Sequence, residues 1–200
     1  VRYPDNPREI SLDLLAKLDR EPGSWIGSTK LCGRRRLLHF DNATSSCDIQ
    51  AKHSHECMQM PPHLLDQIKT LLFLMPVDGI TVDCEWVGCS TDGALESGSH
   101  RLVGFDVLRW GGCWLDGVDY ADRLELQRQI PMEWVQVYRS PGLCDAFNEQ
   151  LCNPLSEGLV IRHKQQRIIM RDNRCVDHPL MFKCKHKTVN RVLRYAEGRQ

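Results

Sequence analysis

Apolar positions recur at helical spacing near the start of the chain. Ile10, Leu14, Leu15 and Leu18 mark residues 9–20, and Pro22-Gly23 ends the run; the spacing predicts an amphipathic helix. Trp25 and Ile26 predict a short strand that ends at Lys30-Leu31, and Arg35 to Phe40 predicts the next. Residues 41–60 are polar and are expected to be irregular. Pro61-Pro62 opens a second helical pattern through Leu64, Leu65, Ile68, Leu71 and Leu72, with proline where a first helical turn accepts it. Ile80 to Val87 is β-branched and aromatic and predicts a strand carrying Asp83 and Glu85. The two-residue period of a strand puts both carboxylates on one face.

The second half alternates similarly. A Gly/Ser-rich stretch at 88–99 predicts a loop; Leu102 to Trp110 predicts a strand ended by Gly111-Gly112. Tyr120 to Ile130 predicts a helix, Met132 to Tyr138 a strand and Leu143 to Leu151 a short helix. Leu159 to Ile161 begins another strand, and Met181 to Lys185 makes the last. Strands outnumber helices and lack the strand–helix rhythm of a doubly wound sheet. The pattern predicts an α+β fold of antiparallel β-sheets with flanking helices.

Composition narrows this modestly. Two hundred residues at 42% apolar suffice for one well-buried core or two small lobes. Acidic and basic residues balance at 26 each, which argues against a histone-like binder. The charge is uneven, however. Ten Lys and Arg residues lie between Arg162 and Arg194, against Asp172 and Asp177 alone, so this region could line a phosphate-binding face or form an ordinary solvated surface. Ten cysteines follow no tight pairing and the first residues do not read as a signal peptide, so reduced thiols in a cytosolic setting are expected. Cys47, His53, His55 and Cys57 match no common closed zinc spacing. The longest apolar run, Leu71 to Val77, is too short to span a bilayer.

The candidate chemistry centres on Lys30. A lysine is a nucleophile once its proton is lost, and neighbouring cations such as Arg34, Arg35, Lys183 and Lys185 favour that loss. Glu85 and Glu157 carry the hard oxygen ligands that suit magnesium or a sugar hydroxyl. The chain has no P-loop, no dinucleotide fingerprint and no serine-hydrolase elbow.

Five segments in order give these residues a common meaning. They are Lys30-Leu31-Cys32-Gly33-Arg34-Arg35, Asp83-Cys84-Glu85, Phe105-Asp106-Val107-Leu108, Glu157-Gly158-Leu159-Val160-Ile161-Arg162 and Phe182-Lys183-Cys184-Lys185. Their order and separations resemble the covalent nucleotidyltransferase superfamily, which includes ATP-dependent DNA ligases, RNA ligases and messenger RNA capping enzymes. The likeness covers residues 25–187 and is greatest to the adenylation domain of ATP-dependent DNA ligases. It implies an ATP-grasp-like adenylation domain over 1–200, its sheets and helices set around a nucleotide cleft, with ATP and Mg2+ as cofactors. Lys30 would become covalently adenylated. Lys183 and Lys185 would hold and help transfer the phosphate. Arg35, Glu85, Phe105 and Arg162 would contact the nucleotide, Phe105 by stacking on the base. Lys52 would stand on the 5′-phosphate side, and Glu85 and Glu157 would serve the metal.

Leu115-Asp116-Gly117, followed by Arg123-Leu124 and Arg128, is similar to DNA ligase sequence after the stacking aromatic. The resemblance therefore implies nicked duplex DNA as the partner, with RNA ends or guanylyl transfer as alternatives. A non-catalytic nucleic-acid binding module is a third reading. The resemblance further implies no membrane, a monomer, and a cytoplasmic protein (nuclear in a eukaryote, host cytoplasm for a virus). Three positions depart from the pattern. Cys32 stands where aspartate is usual, Cys84 replaces a glycine, and Arg162 replaces a lysine, keeping charge but altering reach. The resemblance includes no C-terminal OB-fold domain, so such a domain or a partner protein is expected to complete duplex binding.

Overall fold

The computed structural model describes residues 2–51, 61–88, 100–172 and 177–186. The elements run β1 (Arg2–Pro4), β2 (Asn6–Glu9), α1 (Leu12–Asp19), β3 (Trp25–Leu31), β4 (Gly33–Asp41), β5 (Ser46–Ala51) and α2 (Pro62–Leu74). They continue with β6 (Ile80–Val87), β7 (Arg101–Trp110), β8 (Cys113–Trp114), α3 (Tyr120–Gln127), β9 (Glu133–Trp134) and β10 (Val137–Arg139). The last are α4 (Leu143–Glu149), a 3-10 turn at Gln150–Cys152, β11 (Ser156–His163), β12 (Met170–Asp172) and β13 (Asp177–Lys185). They form two compact units. The first comprises Val1–Asp5, Gly33–Val135 and Arg167–Cys175; the second comprises Asn6–Cys32, Gln136–Gln166 and Val176–Gln200.

The first unit holds a sheet of order β5-β4-β6-β7-β8, with β9 added parallel to β7 and a separate β1-β12 pair. Its core gathers Leu37, Leu38, Phe40, Val82, Trp86, Leu102 and Leu108 with the inner stripe of α2. That stripe is Leu64, Ile68, Leu71 and Leu72, the spacing of one helical face. Pro62 begins the helix where its missing N–H costs nothing.

The second unit holds a sheet of order β10-β3-β11-β13-β2 with α1 and α4. Leu15, Leu18, Trp25, Leu143, Phe147, Leu159, Ile161 and Phe182 form its core. The Ser11 hydroxyl caps α1 by accepting from the Leu14 amide at 3.3 Å. At the other end of α1, the Asp19 carboxylate accepts from the amides of Gly142 and Leu143 at 2.8 Å and Cys144 at 3.1 Å. One side chain thus satisfies the open N-terminus of α4. Burial of Asp19 opposes its ionisation, yet these three amide bonds prevail and hold the carboxyl below its ordinary value.

Several expected boundaries shift. Residues 41–60 are not wholly irregular, because Ser46–Ala51 pairs antiparallel with β4. The expected strand 132–138 is two strands: β9 joins the first unit and β10 the second, and the units divide between Val135 and Gln136. The sheets are mixed rather than purely antiparallel, since β2 pairs β13 in parallel and β9 pairs β7 in parallel. The third helix stops at Gln127, and β11 begins at Ser156, upstream of the expected Leu159.

Candidate functional site

The second unit brings its candidate residues together through strand register. Lys30 on β3 lies opposite Gly158 on β11, and Gly158 lies opposite Lys185 on β13. The next row is Ser28, Val160 and Lys183; the one after is Ile26, Arg162 and Met181. Residues directly opposite share a face and alternate residues return to it. Lys30, Arg162, Lys183 and Lys185 therefore stand on one face. The intervening residues, Leu159, Ile161, Phe182 and Cys184, enter the apolar core on the other. Gly158 separates the two terminal lysines without a side chain of its own. Its φ is +128°, and a Cβ there would sit 2.1 Å from the Cys184 carbonyl oxygen, so only glycine fits.

Glu157 reaches this face because β11 is irregular. Ser156 pairs with Leu31 while Gly158 pairs with Lys30, so Glu157 is an extra residue with no register partner on β3. An inserted residue of this kind re-aims a side chain. Lys30 Nζ donates to Glu157 Oε2 at 2.5 Å, with side chains 22% and 27% exposed. Burial raises the Glu157 pKa, but the Lys30 ammonium, the Lys185 charge and a Cys32 hydrogen bond outweigh it and leave it lowered. Arg162 is buried, its Nε directed to Met181 Sδ at 3.3 Å.

The first unit carries the other candidates. Arg35 lies opposite Glu85 in register, and its guanidinium forms a bidentate pair with Asp83, Nε to Oδ1 at 2.8 Å. Arg35, Asp83 and Glu85 therefore share a face, as the two-residue period implies. Cys84 turns the other way into the core; burial and the adjacent carboxylates push its thiol well above its ordinary value. Cys84 is thus a packing residue. At Gly33 a Cβ would meet the Trp86 carbonyl oxygen at 2.4 Å, so the glycine supplies space.

Phe105 occupies a second bulge. Asp83 pairs with Asp106 and Cys84 with Gly104, which leaves Phe105 without a register partner on β6. Arg35 lies over the Phe105 ring, 5.5 Å from its centroid. The Phe105 carbonyl accepts from Gln127 Nε2 at 3.3 Å. Beside it, Arg123 Nε and Nη2 each donate to Asp106 at 2.9 Å, and Nη1 donates to the Val118 carbonyl at 2.7 Å. Arg123 is fully buried and also lies over the Tyr120 ring. The opposed Asp83 and Asp106 are thus each neutralised by an arginine. Sequence reasoning passed over Ser156, Gln127 and the locking role of Arg123; no spacing rule announces them, because their partners are set by register.

Lys52 lies outside the described residues, as do His53, His55 and Cys57. The described cysteines are free thiols. Among the described residues no group of three His, Cys, Asp or Glu side chains could hold a metal ion. No helix among them is long and apolar enough to cross a membrane.

No family model matches the sequence, and no curated protein matches it. Solved structures do. The ligase domain of M. tuberculosis LigD is 18% identical with a TM-score of 0.60, covering 82% of this chain and 55% of that one. The ATP-dependent DNA ligase of bacteriophage T7, in complex with ATP, is 18% identical with a TM-score of 0.57, covering 92% and 68%. An archaeal ATP-dependent RNA ligase is 14% identical with a TM-score of 0.59, covering 90% and 47%. The chain therefore spans little more than half of the LigD ligase domain. At these identities the shared property is the fold alone: this chain folds like the matched parts of these ligase structures.

Proposed function

We propose that this chain is the adenylation domain of an ATP-dependent polynucleotide ligase that seals 5′-phosphate/3′-hydroxyl nicks in DNA. The observation that carries the reading is the position of Lys30. It shares a sheet face with Lys183 and Lys185 and is ion-paired to a carboxylate delivered by a bulge.

In the first step the Lys30 amine attacks the α-phosphorus of ATP. A nitrogen–phosphorus bond forms, the bond to the bridging oxygen breaks, and pyrophosphate leaves. The amine must first leave Glu157 and lose its proton. Glu157, held below its ordinary value, is a weak base at neutral pH, so the proton passes to solvent. Lys183 and Lys185 offset charge that grows on the phosphate oxygens. In the second step a 5′-phosphate oxygen attacks the adenylate, and the nitrogen–phosphorus bond breaks. In the third a 3′-hydroxyl attacks that activated phosphate and AMP departs. Within the first unit, Phe105 backed by Arg35 is a ring of the kind a base stacks on, and Glu85 a carboxylate of the kind that accepts from a ribose hydroxyl.

The donor set fits magnesium that arrives on ATP. Such an ion keeps several waters and takes one or two carboxylates besides substrate phosphates, and Glu157 places one such carboxylate beside Lys30. Glu157, beside Lys30, is the residue that would hold it, and it would supply further neutralisation of phosphate charge.

Incubation with α-labelled ATP and magnesium is expected to give a covalent adduct, stable to alkali and lost in acid as a phosphoramidate is, on the wild type and none on Lys30→Ala. Absence of wild-type label, or equal label on both, would overturn the reading. A second reading, sealing of RNA ends, is favoured by the archaeal RNA ligase, whose TM-score of 0.59 stands level with the DNA enzymes. Turnover on nicked RNA but not nicked DNA would select it, and labelling by GTP but not ATP would select guanylyl transfer instead.

A further inference from the structure

We infer that Ser156 is a positioning residue: closed onto Gly158, its hydroxyl holds the bulge that turns Glu157 toward Lys30. The catalytic consequence rests on the proposed ligase reading; the geometric claim does not.

Register supplies the first part of the argument. From Gly158 onward β11 alternates regularly, with Gly158, Val160 and Arg162 on the lysine face and Leu159 and Ile161 in the core. Continued backward, that alternation would send Glu157 to the core face. A carboxylate among those aliphatic side chains would lack a cationic partner, a costly arrangement. The extra residue removes this conflict, and Glu157 meets Lys30 instead.

The second part concerns what holds the bulge. An inserted residue interrupts the ladder and leaves backbone groups that need partners. Ser156 is fully buried. Its Oγ accepts from the Gly158 amide at 3.1 Å and donates to the Gly158 carbonyl at 3.2 Å. The hydroxyl thus reaches across Glu157 and ties down the peptide that follows it and the next one along, which limits where the carboxylate can point. The Ser156 amide is in turn anchored on the Asn153 carbonyl at 3.0 Å. The Cys32 thiol adds a hydrogen bond to the Glu157 carboxylate, so the residue that stands where aspartate is usual supports the same pair.

The test compares wild type, Ser156→Ala, Glu157→Gln, the double variant and Ser156→Thr, each as the full chain. Without ATP, dilute acetic anhydride labels amines, and mass spectrometry reads Lys30 against exposed Lys69. Freeing Lys30 from its carboxylate is expected to raise its labelling about tenfold in Ser156→Ala, the scale of a lost charge-assisted hydrogen bond. Glu157→Gln should show the same rise, the double variant no further rise, and Ser156→Thr should stay near wild type. With ATP the sign reverses, because a Glu157 no longer aimed at the lysine face would fail to hold magnesium there. Ser156→Ala should form adduct about tenfold more slowly at saturating ATP, with the half-saturating concentration little changed. The double variant separates this from general loosening, which would expose Lys30 beyond the level of Glu157→Gln alone. Should Ser156→Ala fail to fold, Ser156→Cys keeps the volume with a weak donor and takes its place. Wild-type labelling of Lys30 in Ser156→Ala would overturn the inference, as would a Ser156→Ala effect that persists undiminished on Glu157→Gln. If the wild type makes no adduct, the ligase reading fails while the labelling comparison still decides the role of Ser156.

Discussion

The two units use one device and lock it differently. Each carries a strand irregularity that sets apart a candidate for nucleotide chemistry: Phe105 in the first, Glu157 in the second. At Phe105 the lock comes from a helix. Arg123 and Gln127 of α3 reach back to Asp106 and to the Phe105 carbonyl, so buried charge fixes the bulge. At Glu157 the lock is local, a hydroxyl one residue before and a glycine one residue after. A buried ion pair is costly to break by halves, because the remaining charge is stranded. A hydroxyl lock is worth much less. The first bulge should therefore fail together with its unit, whereas the second can loosen while the fold survives.

The largest expected effect lies at the glycines that both units require. Gly158→Ala places a Cβ against the Cys184 carbonyl at a positive φ and should cost more than ~3 kcal/mol. Gly33→Ala meets the Trp86 carbonyl without positive φ and should cost less. Urea melts of both variants would rank them, and a reversed order would show that space outweighs backbone conformation here. Next, Arg123→Met strands buried Asp106 and should cost about 3–5 kcal/mol, against about 1–2 kcal/mol for Ser156→Ala. Equal losses by chemical denaturation would erase the contrast between the locks.

Gln127→Met should be milder still. It leaves the Phe105 carbonyl short of a donor, costs about 1 kcal/mol, and under the ligase reading weakens ATP binding more than the rate at saturating ATP. The smallest effect is acid lability in the second unit. Folding lowers the Glu157 and Asp19 pKa values, so each adds stability above the ordinary carboxylate value of about 4 and loses it as pH falls through the folded value. The stability gap between wild type and Glu157→Gln should be full at pH 7 and shrink below about pH 4. A gap that is constant down to pH 2, measured by urea melts, would show that the ion pair does not link folding to protons.

Much of the fold was legible where side chains and backbone agree. Leu14, Leu15 and Leu18 announce α1, and Ile80–Val87 coincides with β6. The short strands were not legible. Ser46–Ala51 and Asn6–Glu9 are polar and lie at sheet edges, so their strand character comes from the neighbour they pair with rather than from alternation. Residues 132–138 read as one strand because no composition change marks the place where the chain leaves one unit for the other.

The sequence by itself determined which chemistry is available: an amine at Lys30, two cations at Lys183 and Lys185, carboxylates at Asp83, Glu85 and Glu157. It also determined, through the two-residue strand period, that Lys183 and Lys185 share a face. Tertiary structure alone decided that Lys30 stands on that same face, that Glu157 joins it, and that Phe105 leaves its ladder. Those outcomes depend on register between strands more than a hundred residues apart, as with Lys30 and Gly158. A slip of one residue would send every side chain of a strand to the opposite face, and only packing of the whole unit selects among such registers.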